Sequence, residues 1–418
     1  MKKTILAMLP FLLLVSCMDK NQFNRATYQE ITAGEFPIDT IDPAHDWNLL
    51  TSMMVAVKVN LSTADNISQV QILSDNPYKS KTAEILAEAY AQQGDRVRLS
   101  FEMPMVQKSL YAAAVTRTGK YYVVPFGLNK DEIDFSSGVI SSGTFTQPSY
   151  QTFTYLFESE FPVPGDFDYN DLVMRIGKQV LSSNLLRLSV TVSAVGTRKT
   201  IGAAFRLVGI PYAKVTGVTI DEGAPLDASY PLPRPYLSGD DVVAGKDGSA
   251  VINLFGDAHW ALSPEMLSTG SVAHLLLNTK RTQTAGESQT VAERTVHYTV
   301  QVADNFDVSG FTLSDFDPFV VEEYNGIRYE VHTYRYKSAE VLWTWNGGDT
   351  EAYNDHLAWA LLVPQARFRY PIEGTPIGKY RNGEIFGAYN RYNHSFGQWG
   401  RNHNTCTDWF QNPSSPVY

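Results

Sequence analysis

Apolar residues recur at every second position along most of the chain. Val55, Val57, Val59 and Leu61 alternate with Ala56, Lys58 and Asn60, and Val97, Leu99 and Phe101 alternate with Arg98 and Ser100. A period of two, broken by turn residues such as Arg117-Thr118-Gly119-Lys120, marks half-buried antiparallel strands. One helix is expected over Thr82–Gln92, with Thr82 as its cap and Gly94 as its stop. These signals predict a small β-sandwich over residues 47–135. The Ser-, Gly- and Thr-rich stretch 136–149 reads as a linker. Beyond it, Leu186, Leu188, Val190 and Val192 alternate with polar residues, as do Val296, Tyr298, Val300 and Val302. No internal repeat is visible and few segments carry a 3.6-residue period. A larger β-domain is therefore expected over 150–412, with a tail at 413–418. The predicted fold class is all-β: two antiparallel β-sandwich-like domains, a small N-terminal one and a larger C-terminal one, after a lipidated tether.

The N-terminus departs from this pattern. Met1-Lys2-Lys3 precedes an apolar run from Ile5 to Val15, then Leu14-Val15-Ser16-Cys17. A short basic region and an apolar run too short to span a bilayer form a secretory signal. A small residue before the cysteine resembles a lipobox, so residues 1–17 are read as a lipoprotein signal peptide and Cys17 as the acylated residue. An ordinary signal with a chance cysteine is the alternative. Residues 18–46 show no apolar period and read as a flexible tether. The expected location is the outer membrane, on the cell surface or the periplasmic face, with the membrane as partner through the N-terminal lipid. With Cys17 acylated, Cys406 has no partner, and burial rather than a disulfide framework must stabilise the fold. The net charge of −10 opposes nucleic-acid binding and is compatible with divalent cations.

The most informative segment is Gly165-Asp166-Phe167-Asp168-Tyr169-Asn170-Asp171-Leu172-Val173, with Glu158 nearby. In an extended chain Asp166, Asp168 and Asn170 share one face, and Phe167 and Tyr169 enter the core from the other. Carboxylates this close raise one another's pKa unless a cation sits among them. The donors are hard oxygens, which suit structural calcium, with Glu158, Asp166, Asp168, Asn170 and Asp171 as candidate ligands. No His or Cys lies in the cluster, which argues against zinc there. An EF-hand is excluded, because Asp171 stands where that loop needs glycine and Gly177 where it needs a bidentate Glu. A solvated acidic turn and a catalytic carboxylate pair are the alternatives.

With its flanking landmarks, this motif resembles the LruC-domain lipoproteins of Bacteroidetes. The likeness runs over about 153–412, through Gly165–Val173, Ala204-Phe205-Arg206-Leu207, Leu254–His259, Asn278-Thr279, Tyr329–His332, Phe368–Glu373, Phe396–Trp399 and Asp408-Trp409-Phe410. Ser159 replaces an Asp of the family pattern. The resemblance implies surface or periplasmic lipoproteins with calcium sites, and no reaction. It singles out Asp257, His259 and His332 as candidate further ligands or supports of the acidic cluster. In that lineage Asp39-Thr40-Ile41 matches an O-glycosylation signal at Thr40.

No catalytic motif is present: no HExxH, no Gly-x-Ser-x-Gly and no P-loop. The aromatics of the C-terminal third, including Trp359, Tyr389, Trp399 and Trp409, are expected to pack as a loop-rich closure of the sandwich, although exposed ones could stack on sugars. The reading is a non-enzymatic, calcium-binding envelope lipoprotein, acting as an adhesion, binding or envelope-structural module on an extracellular protein or glycan. A fimbrial or matrix subunit and a glycan-binding or glycan-acting accessory protein are the alternatives.

Overall fold

The computed structural model describes residues 34–136, 138–159, 161, 164–222, 242–265, 274–324, 327–333 and 357–418. The first unit is built from β1 (Leu50–Lys58), β2 (Ile67–Leu73), β3 (Glu84–Tyr90), β4 (Arg96–Pro104), β5 (Ser109–Thr116), β6 (Tyr121–Gly127), β7 (Glu132–Asp134) and β8 (Ser149–Tyr150). They form one sheet in the order β4-β1-β7 and a second in the order β6-β5-β2-β3-β8. The alternating apolar residues meet between the sheets: Val55 and Val57 of β1 and Leu99 and Phe101 of β4 share a core with Val70, Ile72 and Ala112 of the other sheet.

The segment expected as a helix is strand β3. Ala87 pairs with Ile72 of β2, and Ile85 and Leu86 are both buried. Local helix propensity is worth tenths of a kcal/mol per residue and yields to a sheet position that buries both faces. The stretch read as a linker also belongs to this unit. Ile140 exchanges backbone hydrogen bonds with Val123, and β8 pairs in parallel with β3.

The second unit contains β9 (Thr152–Phe157), β10 (Leu172–Ser182), β11 (Leu185–Ala194), β12 (Gly202–Pro211), β13 (Val215–Glu222), β14 (Val242–Ala244), β15 (Ser249–Phe255), β16 (Leu276–Leu277), β17 (Ser288–Gln289), β18 (Arg294–Val302), β19 (Phe316–Tyr324), β20 (Ile327–His332) and β21 (Ala360–Val363), with short helices α1 (Ala258–Leu262) and α2 (Phe396–Arg401). An antiparallel sheet in the order β13-β18-β11-β10-β9-β21 packs on another in the order β14-β15-β12-β19-β20. Leu186, Leu188 and Val190 of the first sheet and Phe205, Ile252 and Val320 of the second lie in one core, where the rings of Phe205 and Tyr298 meet edge to face at 6.2 Å. The predicted all-β, sandwich-like class is therefore correct.

Two further boundaries change. Residues 34–46 are not a free tether. Phe36, Ile38 and His45 are buried, and with Trp47, Leu49 and Leu50 the apolar side chains of this stretch join the core of the large unit rather than the small one. The chain therefore crosses the large unit first, builds the small one, and returns. Residues 413–418 are not a loose tail either: Val417 is buried, and the Tyr418 ring stacks on Tyr370 at 5.5 Å. The signal segment, Cys17 and residues 18–33 lie outside the described residues; Thr40 is described and exposed. The units are tied through Glu102 of β4, whose carboxylate accepts hydrogen bonds from the backbone N–H (3.1 Å) and the hydroxyl of Ser314.

Candidate metal site

The acidic motif is the connection from β9 to β10. It is not an extended strand. Phe167 and Tyr169 have φ of 54° and 57°, so the backbone twice enters the left-handed region. Both rings are nevertheless buried as expected, Phe167 against Phe36 at 5.2 Å and Trp359 at 5.7 Å. The twisted backbone turns two N–H groups inward onto one acceptor: Phe167 N and Tyr169 N donate to the Glu158 carboxylate at 3.1 and 3.0 Å. Successive N–H groups in such a conformation form an anion-binding nest. Gly165 is required beside it, because a Cβ there would lie 2.1 Å from Glu158 Oε1.

Asp168 Oδ1 accepts from Asn170 N (3.1 Å) and Oδ2 from Gly374 N (2.8 Å). Asp171 Oδ2 accepts from Ser159 N, while the buried Ser159 hydroxyl has no hydrogen-bond partner. The Asn170 amide donates to Pro371 O, but its buried Oδ1 is likewise unpartnered. Oδ1 sits where a Cβ on residue 196 would be, at 1.8 Å, so only glycine fits at Gly196.

Of the five predicted ligands, Glu158, Asp166 and Asp168 each bring one oxygen within 4.8 Å of the others. Glu158, Asp166 and Asp171 line an open cavity of about 410 Å³, together with Gly196, Thr197, Glu373 and one basic residue, Arg198, which makes no ion pair with the three carboxylates. Asn170 lies beside Gly196 at the rim of this group. Burial, then the charges of Asp171, Asp168 and Asp166, pushes the Glu158 carboxyl well above its usual range. Burial, then Asp166, Asp171 and Glu373, does the same to Asp168. Glu373 is pushed up to about 7 by burial and by Asp166 and Asp171. Sequence reasoning missed Glu373 as a site residue, although it ends the Phe368–Glu373 landmark. Among the described residues, no Lys or Arg forms an ion pair with Glu158, Asp166 or Asp168. Two unit charges 4 Å apart repel by roughly 4 kcal/mol at an effective dielectric of 20, more than one charged hydrogen bond returns. The cluster therefore requires protons or a cation. Oxygen donors alone, with an uncommitted amide oxygen beside them, fit a hard divalent ion.

The three outlying candidates are placed elsewhere. His332 lies in the opposite sheet, held by Asp317 (2.9 Å) and Glu330 (3.0 Å), while Arg206 donates to the same Asp317 at 2.7 Å. Asp257 and His259 form a separate group with His274. Of the C-terminal aromatics, Trp359, Tyr389, Trp399 and Trp409 are core residues as expected, all at most 1% exposed, whereas Tyr392 is 79% exposed.

The fold and site define a class: a two-unit β-sandwich protein whose large unit carries an acidic loop. The chain belongs to the family described as "Domain of unknown function (DUF4842)", whose model matches residues 184–410. That span holds most of the landmarks named above but begins after the acidic motif. No curated protein matches the sequence. Among solved structures the chain is similar to one described as a "Putative lipoprotein" from Bacteroides ovatus, at 15% identity and a TM-score of 0.49, over 84% of this chain and 99% of that one.

Proposed function

We propose that this protein is a non-enzymatic lipoprotein of the outer membrane, anchored through Cys17, whose large sandwich is stapled by calcium at the β9–β10 loop so that it presents a rigid surface for adhesion, binding or envelope structure. The observation that carries the reading is the convergence of Glu158, Asp166 and Asp168 without a basic partner among the described residues. Asp171 and Glu373 on the cavity wall and the unpartnered Asn170 oxygen support it. The LruC-like motif and the lipobox agree with this reading. A bound calcium ion supplies positive charge among the carboxylates, which no ion pair to Arg198 on the cavity wall provides. Glu158 and Asp168 hold the loop backbone with their remaining lone pairs, so occupancy of the site and order of the loop are coupled. Without disulfides, such a staple does what cystines do in other exported proteins.

A site filled a hundredfold above its Kd stabilises the fold by about 2.7 kcal/mol. Adding EGTA is therefore expected to lower Tm by several degrees, and calcium to restore it. Asp168→Ala should abolish the calcium-dependent part of the shift. Superimposable melts with and without chelator would sink the calcium reading.

A further inference from the structure

A second cluster of ligating side chains lies behind the loop that walls the acidic cavity. Asp257 caps helix α1, its Oδ1 accepting from His259 N (2.8 Å) and Trp260 N (3.3 Å). His259 sits in that helix and His274 precedes β16. Asp257 Oδ1 is 3.5 Å from His259 Nδ1, and Asp257 Oδ2 is 3.3 Å from His274 Nε2. One ligand atom from each of the three residues falls within 4.8 Å of the others. The side chains are 6%, 3% and 16% exposed, so the group is nearly closed and opens to solvent past His274.

The outer nitrogens fix the state of the rings. His259 Nε2 lies 2.9 Å from Thr197 O, and His274 Nδ1 lies 3.2 Å from Arg198 O. A carbonyl only accepts, so each ring carries a proton on that nitrogen. His259 Nδ1 and, in the neutral ring, His274 Nε2 are then lone pairs facing the Asp257 carboxylate. A proton shared between His274 and Asp257 would satisfy that pair. It leaves His259 Nδ1 buried and without a hydrogen-bond partner. An imidazole that donates its far N–H to a backbone carbonyl and turns its near lone pair inward is the arrangement that supports a metal-ligating histidine.

Bonds of about 2.0–2.1 Å in a tetrahedron put neighbouring donors about 3.3 Å apart; Asp257 meets the two rings at such distances through different oxygens, Oδ2 at 3.3 Å and Oδ1 at 3.5 Å, and the three donors lie within 4.8 Å of one another. Imidazole nitrogens select zinc-like ions, unlike the all-oxygen acidic pocket. We infer that Asp257, His259 and His274 form a site for a divalent transition-metal ion of the zinc class, distinct from the acidic cavity, with the fourth position open to water. The two imidazoles are stacked 4.1 Å apart at 18°, so the partly exposed ring of His274 must turn, giving up its bond to Arg198 O, for both lone pairs to converge on one ion.

Cobalt(II) titration of the purified full chain, read by visible absorption, tests this inference. The expected result is an intense tetrahedral spectrum that saturates at one equivalent. Zinc should displace the cobalt, excess calcium should not, and His274→Ala should weaken binding at least about a hundredfold. His274 is partly exposed, so this variant should keep the metal-free Tm, which serves as the folding control. His259→Gln, which replaces the buried lone pair, should also lose the spectrum. The inference is overturned by a weak octahedral spectrum, by displacement with calcium, or by equal titrations of wild type and His274→Ala. The calcium reading fails separately: after EGTA it requires calcium and not zinc to restore Tm, and Asp168→Ala should lose that response while leaving the cobalt titration unchanged.

Discussion

Phe167 and Tyr169 show how single residues set the acidic loop. Each non-glycine residue in the left-handed region costs about 1–3 kcal/mol and persists only where its surroundings over-determine it. Here two buried rings and the two N–H bonds to Glu158 do so. Gly196 is as tightly specified from the other side. A Cβ there would meet Asn170 Oδ1 and, at 2.7 Å, the Asn170 backbone oxygen, which cannot move away. Gly196→Ala is expected to destabilise the protein by about 1–3 kcal/mol and to weaken calcium binding, measured by urea melts and calcium titration. The buried His332 makes a pH prediction. Burial alone would lower its pKa, but the charge of Asp317 and the hydrogen bonds that the ring donates to Asp317 and Glu330 prevail and raise it to about 9. A raised folded pKa contributes stability that is complete below the unfolded value, about 6.5, and is lost as pH rises through 9. Denaturant midpoints should fall between pH 6.5 and 9 in wild type and fall less in His332→Gln. That variant should also be less stable at pH 6 by about 3–5 kcal/mol, because it breaks one partner out of a buried ionic network.

Among elements, the N-terminal strap over residues 34–49 changes the reading most. Phe36 meets both Phe167 and Trp47, and Ile38 is bridged to Tyr380. The segment that leads from the proposed anchor thus ends as part of the wall beneath the acidic loop. Phe36→Ala should destabilise the large unit by about 3–5 kcal/mol, and protease digestion should then cut within the β9–β10 loop sooner than in wild type. The strap was illegible in the sequence because Phe36, Ile38 and Trp47 follow neither a period of two nor one of 3.6, and they bury against residues more than a hundred positions away. Strand β3 was misread for a related reason. Thr82–Gln92 carries helix formers and a credible cap, and only the partner strands β2 and β8 decide against a helix. The long strands β11 and β18 were legible because each buries alternate residues along most of its length.

For the whole molecule, Glu102 is among the polar contacts that join the two cores in the described residues. Its carboxylate is buried, and it completes the turn at Ser314 before β19. Glu102→Ala leaves that backbone N–H without its acceptor, a loss of about 1–3 kcal/mol. The expected calorimetric outcome is two resolved transitions where wild type shows closer coupling. By itself, the sequence determined the all-β class, the two-unit plan, the scarcity of cysteine, and the crowding of carboxylates between Glu158 and Asp171. Each is a matter of composition or of spacing along a local backbone. Tertiary structure alone decided that Glu373 and Gly374 border the acidic site, that His274 joins Asp257 and His259 while His332 does not, and that residues 34–49 and 413–418 are strapped to the large sandwich. Those contacts link residues far apart in the chain, and spacing along a chain encodes only the geometry of neighbours.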